Sequence, residues 1–308
     1  MKATRLTSND LPLEIKQRAN TQTFFGSTGF AGLWRAVGGR DIYWVVESGG
    51  KPIALLPSVE FGVGPARRLQ VMPDGCYSRI TIMSDSPPDR QKLAATLLSA
   101  MASAKYSRLW IYDYFREFAD LEGFTKMECE TTLVDISTPD WLPPDKKLQS
   151  EIRKAEREGV EAVELDINKH LDQFLHLMSH TEKRHGRRGK YRMAFFEALA
   201  ELAQTDDRIY WPLIEAGGEA AASHIYFVEG DMVLNWQVYF DKRFSYLKPN
   251  QYLLYTTAHR MASRGVRTLN LGASPDDADS LKAYKEKWGG TGYRYRCYHA
   301  QSGLGKIL

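Results

Sequence analysis

Two stretches of this chain occur twice, in the same order, and that constrains the fold more than any other feature. IYWVVESGG at Ile42–Gly50 is matched by IYWPLIEAGG at Ile209–Gly218, one residue longer. MASAKYSRL at Met101–Leu109 lines up without a gap against MASRGVRTL at Met261–Leu269. One short match carries no weight, but two in order, inside matching predicted elements, point to an internal duplication. Two copies do not make a solenoid; they make two similar domains. Each copy reads as a strand hairpin, a helix, a strand, another short helix and a closing strand. The run Pro139–Pro144 (PDWLPP) continues neither helix nor strand. It sets the expected domains at 1–140 and 141–308, and the expected class is α+β, with an α/β mixed sheet in each domain.

In the first copy, β-rich runs at Ile42–Glu47 and Ile53–Val59 meet at Gly49-Gly50, a hairpin signal. A loop-rich passage, Gly62 to Gly75, precedes a helix at Pro88–Ala104 and strands at Arg108–Tyr112 and Thr125–Ile136. In the second copy, Lys146–Glu158 is a highly charged helix whose two signs stand in i,i+4 relation, as on a solvated face. Helices at Leu171–Lys183 and Ala194–Gln204 flank the basic run KRHGRRGKYR. Three strands follow, Arg208–Glu215, Glu219–Val228 and Met232–Phe240. In the third, Met232, Leu234, Trp236, Val238 and Phe240 alternate to one face. Asn235, Gln237 and Tyr239 take the other, an unusually polar face for a central strand.

The stretch Leu247–Gly290 then reads as helix, strand and helix in quick succession. Leu254, Ala258, Met261 and Ala262 lay one apolar stripe along the first helix. Pro249 suits its first turn and Gly265 its stop. Val266–Leu271 is a short strand. Asp276 and Asp277 cap the second helix, whose inner face is Leu281, Tyr284 and Trp288. Lys282, Lys285 and Lys287 on that helix, beside the free N–H groups that open the first one around Asn250, make an anion site.

The totals exclude several classes. A formal net charge of +3 is too small to argue for bulk nucleic-acid binding, so no DNA partner is expected, and an isoelectric point near 8.6 only permits an anionic ligand. Cys76, Cys129 and Cys297 form no Cys-x-x-Cys or Cys/His set, so neither a metal site nor a disulfide framework is expected. A reducing, cytoplasmic compartment is the simplest expectation. No run approaches the ~18 apolar residues that span a bilayer. A transmembrane segment is therefore not expected, while peripheral membrane contact stays open.

Three segments carry a family likeness: K-L-x-S-E-I-R-K-A-E-R-E-G at Lys147–Gly159, Y-F-D-K-R-F-x-x-L-K-P-N at Tyr239–Asn250, and L-G-A-S…L-K-A-Y-K-E-K-W-G at Leu271–Gly289. In these the chain resembles the FemABX-like and BioF2-like acyltransferases of the GNAT superfamily. The likeness covers Lys146 to the C-terminus, and reaches the first half through the repeat. It implies two tandem GNAT-like domains with catalysis in a cleft where the sheet splays. It also implies an aminoacyl group taken from aminoacyl-tRNA and placed on an amine of a phosphate-bearing peptidoglycan precursor. Arg187 and Tyr191 keep the family's Arg-x-x-x-Tyr spacing, and Tyr284-Lys285 match its Phe-Lys pair; both sets are implied to bind substrate. Two departures bear on the donor. The long helical-hairpin insertion of some members is missing, and no glycine-rich loop precedes Asn250, where Pro249 also lacks an N–H. Aminoacyl-tRNA is thus the preferred co-substrate, acyl-CoA the alternative, and no tightly bound cofactor is expected.

Acyl transfer to an amine requires a neutral nucleophile, donors for the developing oxyanion and a proton for the leaving group. No Ser–His–Asp or Cys–His signature stands out, which favours direct displacement. His224, Asn235 and Tyr239 are the catalytic candidates. His224 titrates in the right range for a base, and is otherwise a packed strand histidine. Asn235 and Tyr239 would orient the acceptor or polarise a carbonyl, or else bond across strands. For substrate binding the candidates are Arg184, Arg187, Tyr191, Asp241, Asn250, Tyr284 and Lys285. The run Lys183–Arg192 grips phosphates or is a solvated basic loop; Lys285 contacts a phosphate or snorkels from the core edge; Asp241 positions an amine or closes a turn. The expected protein is an acyltransferase acting on a small-molecule or peptide amine, with a catalytically silent anion-binding protein of the same fold as the competing reading.

Overall fold

The computed structural model describes residues 1–73, 76, 77, 79–118, 123–184, 186, 191–275 and 278–301. The chain opens with strand β1 (Lys2–Leu6), helices α1 (Leu13–Gln22) and α2 (Thr28–Leu33), and strands β2 (Gly39–Ser48), β3 (Lys51–Phe61), β4 (Arg68–Val71) and β5 (Thr81–Ile82). Then come α3 (Arg90–Ser103), β6 (Arg108–Asp113), β7 (Thr125–Asp135), α4 (Lys146–Arg157), β8 (Ala162–Glu164), α5 (Ile167–Arg184) and α6 (Met193–Ala203). The remainder is β9 (Ile209–Tyr210), β10 (Pro212–Ala216), β11 (Glu219–Glu229), β12 (Met232–Phe240), α7 (Pro249–Ser263), β13 (Thr268–Ala273), α8 (Asp279–Glu286) and β14 (Thr291–Gln301).

Two compact units emerge, Met1–Cys129 with Arg294–Leu308, and Glu130–Tyr293. In the first, strands lie in the order β1-β2-β3-β4-β6-β14, with β5 on β3. Gly49 and Gly50 both take positive φ, the backbone a two-residue hairpin demands. β4 and β6 run parallel, joined by α3. Asp89 caps α3 by accepting from the Gln91 and Lys92 N–H groups. Leu93, Leu97 and Met101 stand on successive turns and bury against Leu69, Val71, Leu109 and Ile111.

In the second unit the order is β7-β13-β12-β11-β10-β8, with β9 on β11. β12 and β13 are parallel, joined by α7. Leu254, Ala258 and Met261 pack α7 onto Tyr226, Val233 and Leu269, and α4 adds Leu148 and Ile152 to the same core. Pro249 opens α7 and Gly265, at φ +85°, follows its end, as the sequence predicts. The inner face of α8 is narrower than expected, for Leu281 is 38% exposed while Trp288, just past the helix, is fully buried. The predicted caps Asp276 and Asp277 lie outside the described residues, as do 119–122 within the stretch where the first copy's short helix was expected.

The duplication is visible in side-chain detail. β4–α3–β6 and β12–α7–β13 are the same parallel crossover. Trp44 donates its indole N–H to Ser58 Oγ (3.1 Å), and Ser58 donates to the Ile42 carbonyl. In the second copy Trp211 donates to Ser223 Oγ (3.0 Å), and Ser223 to the Pro212 carbonyl. These tryptophans are the equivalent residues of the two IYW motifs. At Trp211-Pro212 the single strand expected over Arg208–Glu215 divides into β9 and β10, since proline cannot donate to a ladder.

The closing strands are exchanged. β6 pairs with β14 from Arg296↔Asp113 to Gln301↔Arg108, and β13 pairs with β7 from Thr268↔Asp135 to Ala273↔Thr131. Each unit is therefore completed by a strand from the other half of the sequence, an arrangement a boundary at 140/141 does not describe. The exchange also brings together two cysteines that sequence spacing keeps apart: the free thiols of Cys129 and Cys297 lie with sulfurs 2.7 Å apart. Among the described residues no helix is long and apolar enough to cross a membrane.

Candidate active site at the parting of two parallel strands

The second unit's central strands stay together only briefly. β12 and β13 pair over Met232–Leu234 with Thr268–Asn270, and β12 then runs on to Phe240 without its neighbour. Two local irregularities accompany this. Gly272 sits at φ +74°, where the register of β13 slips between Asn270 and Ala273; a strand glycine in this backbone is the usual mark of a bulge. Asn270 locks the slip by accepting from Thr131 Oγ1 (2.5 Å) and from the Gly272 N–H (2.8 Å). On the other side, the β11–β12 register shifts between Ile225 and Tyr226.

That second shift overturns the expected alternation of β12. Trp236 packs on Tyr191, Phe195 and Phe227, and Tyr239 packs on Phe174 and Phe196, so both reach the α5/α6 side although three positions separate them. Strict alternation forbids this; one extra residue at a bulge allows it. Val238, placed by that alternation on the apolar face, is 43% exposed.

At the end of β13, Lys285 of α8 points its ammonium at the strand. Nζ donates to the Gly272 carbonyl (2.7 Å) and the Ala273 carbonyl (2.9 Å). The residue is 4% exposed, so of the two expected roles, phosphate contact or snorkelling from the core edge, the second does not hold: its stem is inside. Burial pushes the ammonium down to about 8. Near the parting, Asn235 Oδ1, Trp236 Nε1 and Ser274 Oγ are buried with no hydrogen-bond partner among the described residues. Such atoms are rare in a finished core and are suited to a ligand. Trp236, Ser274 and Gly272 were not singled out in the sequence; the glycine inside a strand was the available signal.

The other candidates fall into three places. On the α5/α6 side, Arg184 donates Nη1 to the Phe240 carbonyl (2.9 Å) with its guanidinium 4.5 Å over the Phe240 ring. Tyr191 is buried against Phe195 (4.8 Å) and Trp236 (4.9 Å). Tyr239 is buried, its hydroxyl donating to Gln237 Oε1 (3.3 Å). Beyond β12, Asp241 caps a 3-10 turn at Lys242–Leu247, accepting from the Arg243 N–H and Nε; that bonding with Arg243 holds its carboxyl below the usual range. Tyr284 lies 6.2 Å from Trp288, its hydroxyl pushed up to about 12 by burial. Arg187 lies outside the described residues, with His185, Arg188 and Lys190 of the basic run. Among the described residues no group of three or more His, Cys, Asp or Glu side chains is placed to hold a metal ion.

On the α7 side, His224 and Asn250 meet. Asn250 Oδ1 can only accept, so His224 Nε2–H donates to it (3.2 Å), and the Tyr226 hydroxyl donates to Nδ1 (2.7 Å). His224 is 2% exposed, and burial pushes its imidazole down to about 4. It is neutral at pH 7, with both nitrogens satisfied. Because the folded value lies below the unfolded 6.5, its stabilising contribution is full above pH 6.5 and is lost as pH falls towards 4. The shift is worth roughly 3 kcal/mol. In urea titrations across that window, the wild type is expected to lose more stability than His224→Gln; parallel losses would show that His224 is not the linked group.

Residues 145–286 match the acetyltransferase (GNAT) domain family. No curated protein sequence matches the chain. Among solved structures, FemX matches with a TM-score of 0.74 at 14% identity, over the whole of both chains. The C-terminal domain of a putative lysylphosphatidylglycerol synthetase from Agrobacterium fabrum matches at 0.61 and 15% identity, over 96% of this chain and 94% of that one. L-PGS from Bacillus licheniformis matches at 0.59 and 13%, with the same coverage. Identities this low speak for fold. Residues 145–286 thus carry an acetyltransferase (GNAT) domain, and the chain has a fold like that of FemX.

Proposed function

We propose that the protein transfers an aminoacyl group from aminoacyl-tRNA to an amine of a small or phosphate-bearing acceptor, such as a cell-wall peptide precursor. The observation that carries the donor reading is the start of α7. The chain enters it through the 3-10 turn, Lys248 in the left-handed region at φ 55° and Pro249, with no glycine loop. A CoA pyrophosphate bound there would meet fewer free N–H groups than a glycine-rich turn presents. The fold relatives include a putative lysylphosphatidylglycerol synthetase, whose name joins an amino acid to a phosphate-bearing group.

In the proposed reaction the acceptor amine attacks the ester carbonyl, the tetrahedral intermediate collapses, and the tRNA hydroxyl leaves with the proton the amine gives up. Lys285 fixes the carbonyls at the end of β13, Asn235 and Trp236 offer an acceptor and a donor near the parting, and the basic run after α5 attracts the acceptor's phosphates. The family match to an acetyltransferase domain supports a second reading, an acyl-CoA-dependent N-acyltransferase.

Incubating the protein with an amine panel and either radiolabelled aminoacyl-tRNA or acyl-CoA separates these. Loss of the aminoacyl ester with label appearing on the amine is the expected result. Turnover with acyl-CoA alone would reject the tRNA reading, and failure with both would favour a silent binding protein.

A further inference from the structure

The chain leaves the first unit at Cys129 and returns to it at Arg294, so the second unit, Glu130–Tyr293, is one long insertion between β7 and β14. Those two strands are neighbours in the sheet. Each carries a cysteine near its middle, Cys129 on β7 and Cys297 on β14, and both residues belong to the first unit. The positions are 168 apart in sequence, yet the sulfurs are 2.7 Å apart. Both are thiols. A disulfide is about 2.05 Å long and joins Cα atoms ~4.4–6.8 Å apart, a window that holds the ~4.8 Å spacing of neighbouring strands. Bonding the pair thus takes less than about 1 Å of sulfur movement.

The pleat sets the surroundings of the pair. Tyr298 enters the α3 core, which turns Cys297 and Tyr295 to the other face of β14, and Tyr112 stands opposite Cys297 on β6. Cys297 is 1% exposed; its hydrogen bond with Cys129 and its burial both push its thiol up. Cys129 is half-buried, and its neighbours on β7, Glu128 and Glu130, are exposed. One thiol is therefore within reach of solvent, with the other directly behind it. Cys76 differs, being buried on every side with its thiol pushed up by that burial.

We infer that Cys129 and Cys297 form a reversible disulfide, made by exchange with a low-molecular-weight disulfide, that closes the chain into a ring around the second unit. The Cys129 thiolate attacks one sulfur of the small disulfide; a mixed S–S bond forms and the other small sulfur leaves as a thiolate. The Cys297 sulfur then attacks Cys129 and releases the second small thiolate. The protons of the two protein thiols end on the two small thiols, so one disulfide is reduced as one is made. The new bond fastens β7 to β14 where the chain enters and leaves the insertion. It turns a closing strand held by backbone pairing into one held covalently, and it restricts the unfolded chain over a very long loop.

The test treats the full chain with oxidised glutathione, blocks remaining thiols and maps the peptides without reduction. A cross-linked Cys129–Cys297 peptide is expected, with thiols in the denatured protein falling from three to one. Oxidation should raise the melting temperature by about 5–15 °C, and dithiothreitol should reverse the rise. Cys297→Ser should stop at glutathione held on Cys129, without that rise, and Cys76→Ser should behave as wild type. Circular dichroism shows that each variant keeps the fold, and the wild-type peptide map depends on no variant. Retention of all three thiols, a bond to Cys76 or to a second chain, or a mapped Cys129–Cys297 bond with an unchanged melting temperature would overturn the inference.

Discussion

Replacing Lys285 with methionine is expected to lower acyl transfer about 100-fold, the size of effect that a displacement of about 1 Å at a site can have, because the Gly272 and Ala273 carbonyls lose the group that holds them, with little change in melting temperature. Two opposing effects explain the second half. The methionine leaves the Gly272 and Ala273 carbonyls without their donor, which costs about 1–3 kcal/mol. It also removes a buried ammonium whose shift from 10.5 to about 8 corresponds to roughly 3 kcal/mol of unfavourable burial. The pH dependence sharpens the test. A folded value below the unfolded one means the burial penalty is present below pH 8 and relieved as pH rises towards 10.5. The wild-type fold should therefore gain stability over that window and the methionine variant should not. Transfer should fall as pH passes about 8, because the ammonium is what holds the Gly272 and Ala273 carbonyls, and Lys285→Arg should lack that limb. Unchanged turnover in Lys285→Met would remove the residue from the site.

The second large effect concerns the halves of the chain. Fragments 1–140 and 141–308, produced separately, are each expected to lack cooperative unfolding. The first has β6 without β14, and the second has β13 without β7. An unpaired strand of that length exposes its backbone groups and the apolar face behind them, a template for aggregation. Produced together, the fragments should associate and regain the wild-type circular dichroism spectrum and unfolding midpoint. A sharp two-state transition in either fragment alone would show that the exchanged strand is dispensable.

Much of this was legible in the residues. The duplication, the hairpins, the α7 stripe with its proline start and glycine stop, and the strand that follows all come from local patterns, and local patterns survive folding unchanged. The partner of β14 did not come through, because an alternating strand fits either sheet equally well and nothing near it in sequence decides. β4 was hidden in a loop-rich passage, being only four residues held by β3 and β6. At the candidate site, the charged face of α8 is plain, but Lys285 lies between Tyr284 and the buried Trp288, so sequence alone permits an outward or an inward ammonium. The bulge at Trp236 was not readable either. β12 carries large residues on both faces, so a one-residue slip leaves no gap in the pattern.

The exchanged strands also set a schedule. Asp113 leaves the ribosome about 180 positions before Arg296, its partner in the sheet. At 5–20 residues per second that is an interval of roughly 10–40 s. Throughout it the nascent amino-terminal half waits with one margin open, and an early stop codon anywhere in the second half leaves both units unfinished. Completion of the first unit thus waits on synthesis of the second, and the translating cell must shelter the first half until Arg296 and the rest of β14 have emerged.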